Sequence, residues 1–176
     1  MDSRQAKDHQ LKNMQSKDIH DKNHPTTSEQ QVQIEVESAT DYQGWLTCWQ
    51  AYQQFYHVTL ANQITETTWQ RFFDEQIPVH CAVAKCGDEI LGIVHYIFHY
   101  STWGAEDYCY FQDLYVDPSA RGQQLGQRLI EYVKVVAQAR PCMCLYWLTH
   151  ESNHGARRLY DRLADNAGFI QYRINL

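Results

Sequence analysis

The chain has 176 residues, of which 44% are hydrophobic and 13% aromatic, which is enough for one packed domain. No run reaches the roughly 18 apolar residues that a membrane span needs, and the polar N-terminus predicts no secretory signal. The net charge of −6 argues against a nucleic-acid partner and is compatible with a cationic substrate. We therefore expect a cytoplasmic protein without a nucleic-acid or membrane partner.

The six cysteines and nine histidines form no metal-binding pattern. There is no Cys-x-x-Cys pair, and the closest pair, Cys142 and Cys144, lacks the second pair of ligands that a zinc site needs. Most cysteines lie in apolar segments, which favours buried reduced thiols over disulfides. We expect no metal site.

Residues 1–30 differ from the rest of the chain. They are rich in Lys, Asp, His, Gln and Ser, with almost no apolar residues and no periodicity. Such a segment buries too little surface to offset its ordering entropy. We predict a disordered polar tail over residues 1–30 and a single domain over residues 31–176.

The domain begins with one predicted strand and two predicted helices. Residues 32–36 alternate apolar and polar side chains, as a half-buried strand does. Aromatic residues recur at helical spacing after Asp41, an N-cap candidate, and again from Thr65 or Thr67 to a stop before Pro78. Such aromatic stripes are typical of a core, although aromatic helices before a sheet also often wall a substrate pocket.

From residue 79 the hydrophobic period changes to that of strands. Strands are predicted over residues 80–86, 90–99 and 108–116, and Gly87-Asp88 between the first two indicates a hairpin turn.

The second half of the domain alternates helices and strands. A helix from Leu125 to about Pro141 precedes a buried strand over residues 142–148, and a second helix starts at Asn153 before a final strand over residues 169–176. The predicted order is β-α-α-β-β-β-α-β-α-β. This order favours a mixed α/β sheet, mostly antiparallel with one parallel βαβ crossover and flanked by helices.

The turn between the strand 108–116 and the next helix indicates an anion site. The first turn of a helix has unpaired backbone N–H groups, and the helix dipole adds positive potential there. Gly122 and Gly126 let the backbone approach a ligand because they have no Cβ. The pattern predicts binding of a phosphate group.

Two motifs in this half of the chain resemble the GNAT acyltransferase superfamily. Arg121-x-x-Gln124-x-Gly126 is similar to its acetyl-CoA signature, [Q/R]-x-x-G-x-[G/A], with Gln124 in place of the middle glycine. Residues 153–169 resemble the family's later block of Asn, Ala, Leu-Tyr and Gly-Phe, and residues 101–116 resemble the branch of spermidine/spermine and small histone/polyamine acetyltransferases.

The resemblance implies an acetyl-CoA-dependent N-acetyltransferase with a GNAT-like fold. The expected reaction transfers an acetyl group to a primary amine of a small cationic, polyamine-like substrate by direct attack in a ternary complex. Two alternatives stay open: acetylation of protein lysines or N-termini, and a non-catalytic acyl-CoA-binding regulatory module. Members of the family often form homodimers, although no residue of this sequence requires one.

The resemblance also implies roles for individual residues. Tyr160 is the expected catalytic residue, as a donor to the departing CoA thiolate. Backbone groups of the strand hold the pantetheine, and those of the turn hold the pyrophosphate. The expected cofactor-binding residues are Leu114, Tyr115, Val116, Arg121, Gly122, Gln123, Gln124, Leu125, Gly126, Gln127, Asn153 and Tyr160.

The group that deprotonates the amine is left open by the sequence. An alkylamine with a pKa near 10.4 is only about a thousandth neutral at pH 7, so a proton acceptor is useful. The polyamine enzymes have a glutamate where this chain has Gln112, which cannot accept a proton. Asp113 and Glu151 are the nearby carboxylates, and Asp113 faces the substrate only if a bulge interrupts strand alternation. Trp103 and these three residues are the expected substrate contacts; His99 and His150 are further titratable neighbours.

Overall fold

The structure is a computed structural model and describes residues 31–176. It contains five strands and four α-helices in that part of the chain: β1 Gln33–Val36, α1 Tyr42–Phe55, α2 Asn62–Arg71, β2 Val79–Cys86, β3 Glu89–His99, β4 Asp107–Val116, α3 Leu125–Gln138, β5 Cys142–Trp147 and α4 His154–Leu163. The tail predicted over residues 1–30 lies outside the described residues.

The strands form one sheet in the order β1-β2-β3-β4-β5. The first four strands are antiparallel neighbours, whereas β4 and β5 are parallel and are connected through α3. The predicted mixed sheet with a single parallel crossover is therefore confirmed.

Helices cover both faces of the sheet. On the α3 face, side chains such as Val94, Phe111 and Leu129 form one buried cluster, and α4 packs against it through partly buried residues. On the α1 face, Trp45 and Ile93 belong to a second buried cluster that includes residues of α1, β2 and β3. Alternate residues of the central strands supply the two clusters, as the two-residue period of a strand requires.

Two predicted elements differ from the structure. Helix α2 begins at Asn62 rather than at Thr65 or Thr67, since the N–H groups of Ile64 and Thr65 already bond to the carbonyl oxygen of Ala61. The prediction of a final strand over residues 169–176 is wrong, because these residues pair with no strand in the described part of the molecule. Alternating apolar and polar side chains show that a segment can form a strand, but it pairs only if the edge of another strand lies beside it. None of the described helices is long and apolar enough to span a membrane.

Candidate active site

Strands β4 and β5 diverge halfway along β4. Their pairing runs from Asp107 opposite Cys142 to Phe111 opposite Trp147, where β5 ends. Strand β4 continues to Val116 and is paired there only with β3 among the described strands. The backbone of residues 114–116 is therefore left without a strand on the β5 side, where it is available to a ligand.

The chain leaves β4 through a tight turn capped by Asp117. Its Oδ1 atom accepts a hydrogen bond from the N–H of Ser119 at 2.8 Å, and hydrogen bonds from Ser119 lower the pKa of Asp117. Gly122 and Gln124 then adopt left-handed conformations, with φ of 81° and 59°. Gln124 thus takes up a backbone conformation that glycine adopts freely, at the position where the family signature has glycine.

The N-terminus of α3 presents unpaired backbone donors at this turn. The first helical bond at this end runs from the N–H of Arg128 to the carbonyl oxygen of Gln124 at 3.0 Å, so the N–H groups of residues 125–127 precede it. A Cβ added to Gly122 would meet nothing within 4 Å, which leaves open space over the turn. Open space beside aligned donors fits the pyrophosphate of a nucleotide cofactor.

Gly126 has a packing role that the sequence did not indicate. A Cβ at this position would lie 3.3 Å from Cδ2 of Leu159 on α4 and 3.9 Å from Cδ2 of Leu114 on β4. Glycine at this position therefore lets α4 pack closely against the start of α3.

A β-bulge at Gln112 changes which face the side chains of β4 occupy. Asp113 pairs with His95 and Phe111 with Tyr96, so Gln112 is the extra residue in the β3–β4 ladder. Before the bulge, Phe111 belongs to the α3 face; after it, Leu114 does, and Asp113 is buried on the α1 face beside His95. The bulge that Asp113 needs in order to face the substrate side is thus present in this strand.

Asp113 ends a buried chain of hydrogen bonds that starts at Trp45. The indole Nε1 of Trp45 donates to Nε2 of His95 at 2.9 Å, and Nδ1 of His95 lies 3.0 Å from Oδ2 of Asp113. Because an indole N–H can only donate, Nε2 of His95 accepts and Nδ1 carries the proton donated to Asp113. His95 is thereby fixed in one neutral tautomer, and Asp113 is held as the acceptor.

Two cavities adjoin Trp49, and one of them is also lined by Asp113. One has a volume of about 220 Å³ and is lined by both Gln112 and Asp113, together with His95 and Arg71. The other has a volume of about 300 Å³ and is lined mostly by aromatic and aliphatic side chains of α1 and the loop after it. Trp49 lines both cavities, and its indole nitrogen is buried without a hydrogen-bond partner in the described structure.

Two tyrosines connect the aromatic cavity to the carboxylate. Burial raises the pKa of Tyr52, and the charge of Asp113 and hydrogen bonds with Asp113 and Tyr56 add to the increase. The ring centroids of Tyr52 and Tyr56 lie 5.0 Å apart. The phenol of Tyr52 therefore lies within electrostatic reach of the Asp113 carboxylate, which also has the hydrogen bond to His95.

Tyr160 lies on α4 beside the end of β5. Its ring packs against Trp147 with centroids 5.4 Å apart, and burial, together with the nearby Tyr56, raises its pKa to about 12. Asn153 caps the same helix, with its Oδ1 accepting from the N–H of Ala156 at 3.2 Å. Asn153 thus has a structural role, and its predicted cofactor contact stays a prediction.

The other predicted site residues lie in exposed turns and loops. Arg121 is exposed at the turn, and its Nε donates to the carbonyl oxygen of Val116 at 3.4 Å. Trp103 is 85% exposed in the β3–β4 loop and lines neither cavity, and Glu151 is exposed in the loop before α4. Their substrate roles stay predictions. His99 and His150 are exposed and bond to Tyr146 and Ser152, respectively.

Sequence reasoning missed four residues of the site: Trp49, Tyr52, Arg71 and His95. Trp49 and Tyr52 belong to an aromatic stripe at helical spacing, and such a stripe is equally expected of a buried core. His95 could have been found from strand alternation, because it follows apolar Ile93 and lies on the face that contains the indole of Trp45. Its pairing with Asp113 depends on the bulge, which no local signal indicates.

Comparisons with known proteins agree with this arrangement. Residues 38–164 match the family described as Acetyltransferase (GNAT) family. The chain belongs to the GNAT acetyltransferase family. It is 33% identical over 138 residues to a D-amino-acid N-acetyltransferase of Saccharomyces cerevisiae, a match that covers 77% of this chain and 85% of that protein. It is 34% identical over 99 residues to a thialysine N-epsilon-acetyltransferase of Bos taurus, over 52% of this chain and 58% of the relative.

The fold is also found in solved structures of other proteins. A ribosomal-protein-alanine N-acetyltransferase from Brucella melitensis superposes with a TM-score of 0.68 at 17% identity, covering 83% of this chain and 99% of that structure. The predicted family, fold class and enzyme class are thus confirmed, and GNAT acetyltransferases in general use acetyl-CoA.

Proposed function

We propose that this GNAT enzyme transfers the acetyl group of acetyl-CoA to the primary amine of a small cationic substrate in a ternary complex. The observation that carries the proposal is Asp113, a buried carboxylate that a β-bulge turns into a cavity beside the gap between β4 and β5. We also propose that the protein acts in the cytoplasm, without a nucleic-acid or membrane partner.

The residues around the gap fit acetyl-CoA. Unpaired N–H groups at the start of α3 would hold the pyrophosphate, with Gly122 leaving room above them. The backbone of residues 114–116 would bind the pantetheine amides. When bound, acetyl-CoA supplies the acetyl thioester that the amine attacks.

Asp113 is the proposed proton acceptor. His95 orients its carboxylate, which attracts the substrate ammonium group and takes the proton that the amine loses on attack. Trp45 acts through His95 as a positioning residue, because its indole fixes the tautomer that donates to Asp113. The adjoining cavity has an aromatic wall suited to a cationic or alkyl chain, to which Trp49 contributes.

Tyr160 is the proposed donor to the leaving thiolate. With a pKa of about 12 its hydroxyl keeps its proton at neutral pH. Full transfer to a thiolate of pKa ~8.5 would cost on the order of 5 kcal/mol, so the hydroxyl stabilises the sulfur by a hydrogen bond.

A second candidate substrate class is an amine that also carries a carboxylate. The cavity of Asp113 is also lined by Arg71, which has no acidic partner among the described residues, and by Trp49, whose indole N–H is unpaired there. One acceptor and two donors complement an amino acid better than a polyamine. The relatives named above act on D-amino acids and on thialysine, which supports this candidate.

The proposal is tested by measuring thiol release from acetyl-CoA with a panel of polyamines, D- and L-amino acids and a lysine-containing peptide. We expect turnover of small amines, and Asp113→Asn should lower kcat/KM about 100-fold or more while acetyl-CoA affinity stays the same. Asp88→Asn, in the exposed β2–β3 turn, is the matched control.

Further variants separate the candidates. If amino acids are the substrates, Arg71→Gln raises their KM and leaves turnover of polyamines unchanged. Tyr160→Phe should lower kcat and not the affinity for acetyl-CoA. Activity on the peptide alone would contradict the small-amine proposal, and binding of acetyl-CoA without turnover of any amine would indicate a regulatory module.

A further inference from the structure

Two residues form the wall between the cavity that contains Asp113 and the aromatic cavity beside it. Trp49 on α1 and Leu60 in the loop between α1 and α2 line both cavities. Every other lining residue belongs to one cavity alone. An acceptor held by Asp113 would therefore have to pass Trp49 or Leu60 in order to enter the aromatic cavity.

Trp49 is the fixed half of this wall. Its ring stacks on Tyr52, which lines only the aromatic cavity, with centroids 5.7 Å apart. It also meets the ring of His95, which lines only the cavity of Asp113, at 5.1 Å. Trp49 is part of the buried cluster on the α1 face, so a smaller side chain at this position would disturb the core.

Leu60 is the replaceable half. It is only partly buried and packs against the edge of the same cluster. Its backbone N–H donates to Oε1 of Gln53, a buried side chain on α1, at 2.9 Å. The N–H of Val58 donates to the carbonyl oxygen of Gln53, also at 2.9 Å. These two hydrogen bonds hold the loop against α1 and fix the position of Leu60.

The two cavities differ in size and in chemistry. The cavity of Asp113, at about 220 Å³, is smaller than pockets for drug-sized ligands, which have volumes of roughly 300–1,000 Å³. The aromatic cavity, at about 300 Å³, has no charged side chain among its lining residues. A joined space would fall within the range of such pockets and would offer an apolar compartment to the part of an acceptor furthest from its amine.

We propose that Leu60 sets the maximum length of the acceptor. Its side chain confines the acceptor to the cavity of Asp113, and a smaller side chain joins that cavity to the aromatic one. The enzyme then accepts primary amines with longer apolar chains. This inference rests on the proposed function, because it assigns the cavity of Asp113 to the acceptor.

A series of unbranched primary amines from propylamine to decylamine tests the role of Leu60. We expect kcat/KM of the wild type, measured by thiol release from acetyl-CoA, to fall once the chain exceeds the smaller cavity. In Leu60→Ala the fall should occur at longer chains. Each further methylene group that enters the aromatic cavity should raise kcat/KM about fourfold.

Two matched variants separate an opened wall from a merely enlarged cavity. Ile64→Ala removes the same number of carbon atoms from a residue that lines only the cavity of Asp113, and it should extend the limit by no more than those atoms. Val58→Ala enlarges only the aromatic cavity and should keep the wild-type limit. Leu60→Ala should extend the limit further than either variant. An unchanged limit in Leu60→Ala, an equal shift in Ile64→Ala or a wild type without a limit would overturn the proposal.

Calorimetric titration with the same amines keeps the inference separate from the proposed function. Long amines should bind Leu60→Ala at least tenfold more tightly than the wild type, whether or not they are acetylated. This binding gain without turnover in any protein would contradict the proposed function and keep the role of Leu60. Turnover of short amines with no gain in either measurement would do the reverse. Thermal unfolding monitored by circular dichroism verifies that each variant is folded.

Discussion

At the scale of single residues, Gln124 shows how a signature position tolerates a change of side chain. The family signature has glycine at this position, and Gln124 adopts a left-handed backbone there, with φ of 59°. Such a conformation costs roughly 1–2 kcal/mol for a residue with a Cβ. The turn therefore has a backbone shape suited to glycine although the residue type differs from the signature.

We predict that Gln124→Gly stabilises the protein by about 1 kcal/mol, since glycine adopts this conformation without the steric penalty. Urea unfolding measures the change. Gln123→Gly is the control, because Gln123 has a negative φ and glycine there only adds entropy to the unfolded chain. Equal effects of the two substitutions would show that the backbone of residue 124 is not strained.

At the scale of elements, Gly126 joins two helices of the site. A Cβ on this residue already approaches Leu159 within 3.3 Å, and Leu159 is one residue before Tyr160 on α4. A bulky residue at this position therefore moves the helix that holds the proposed thiolate donor. If such a variant lost acetyl-CoA binding, two causes would contribute: a filled cofactor site and a displaced α4.

We predict that Gly126→Leu destabilises the protein by about 1–3 kcal/mol, as overpacking does. Adding Leu159→Ala should recover part of this loss, and thermal or urea unfolding of the wild type, the two single variants and the double variant gives the coupling energy. Lys134→Leu, on the exposed side of the same helix, should have little effect. Additive effects of Gly126→Leu and Leu159→Ala would mean that the two side chains do not meet.

Element positions followed from the sequence where a local signal existed. The Gly87 hairpin, the start of α4 at Asn153 and the β4–turn–α3 unit lie where the period, caps and turn residues predicted them. The bulge at Gln112 and the unpaired segment 169–176 did not follow, because both depend on which strand lies alongside. The site divides in the same way: the anion turn is local, whereas the His95–Asp113 pair is formed by residues 18 positions apart.

At the scale of the whole molecule, the buried carboxyl of Glu37 makes stability depend on pH. Glu37 follows β1, its Oε2 has no hydrogen-bond partner in the described structure, and burial raises its pKa to about 7. The unfolded chain releases this proton near pH 4.5, so the folded state binds more protons between these values. The free energy of unfolding therefore falls as the pH rises from about 4.5 to about 7, and the destabilisation is complete above that range.

We predict that Glu37→Gln removes this fall and stabilises the protein above pH 7 by about 2–3 kcal/mol relative to the wild type. Urea unfolding at pH 5 and pH 8 measures it, and the difference between the two proteins subtracts other titrating groups. Glu66→Gln, on the exposed side of α2, should leave the pH dependence unchanged. A wild type that is more stable at pH 8 than the Glu37→Gln variant contradicts the assignment.

The single extra residue in β4 puts the two halves of that strand out of phase. Up to Phe111 the odd-numbered side chains pack on the α3 face, and from Leu114 onward the even-numbered ones do. A chain without Gln112 would have an uninterrupted ladder in which Phe111 and Asp113 still occupy opposite faces, as direct neighbours in a strand must. Such a deletion would therefore keep the core and the carboxylate in place and remove only the bend that a bulge gives a strand, at the point where β5 ends.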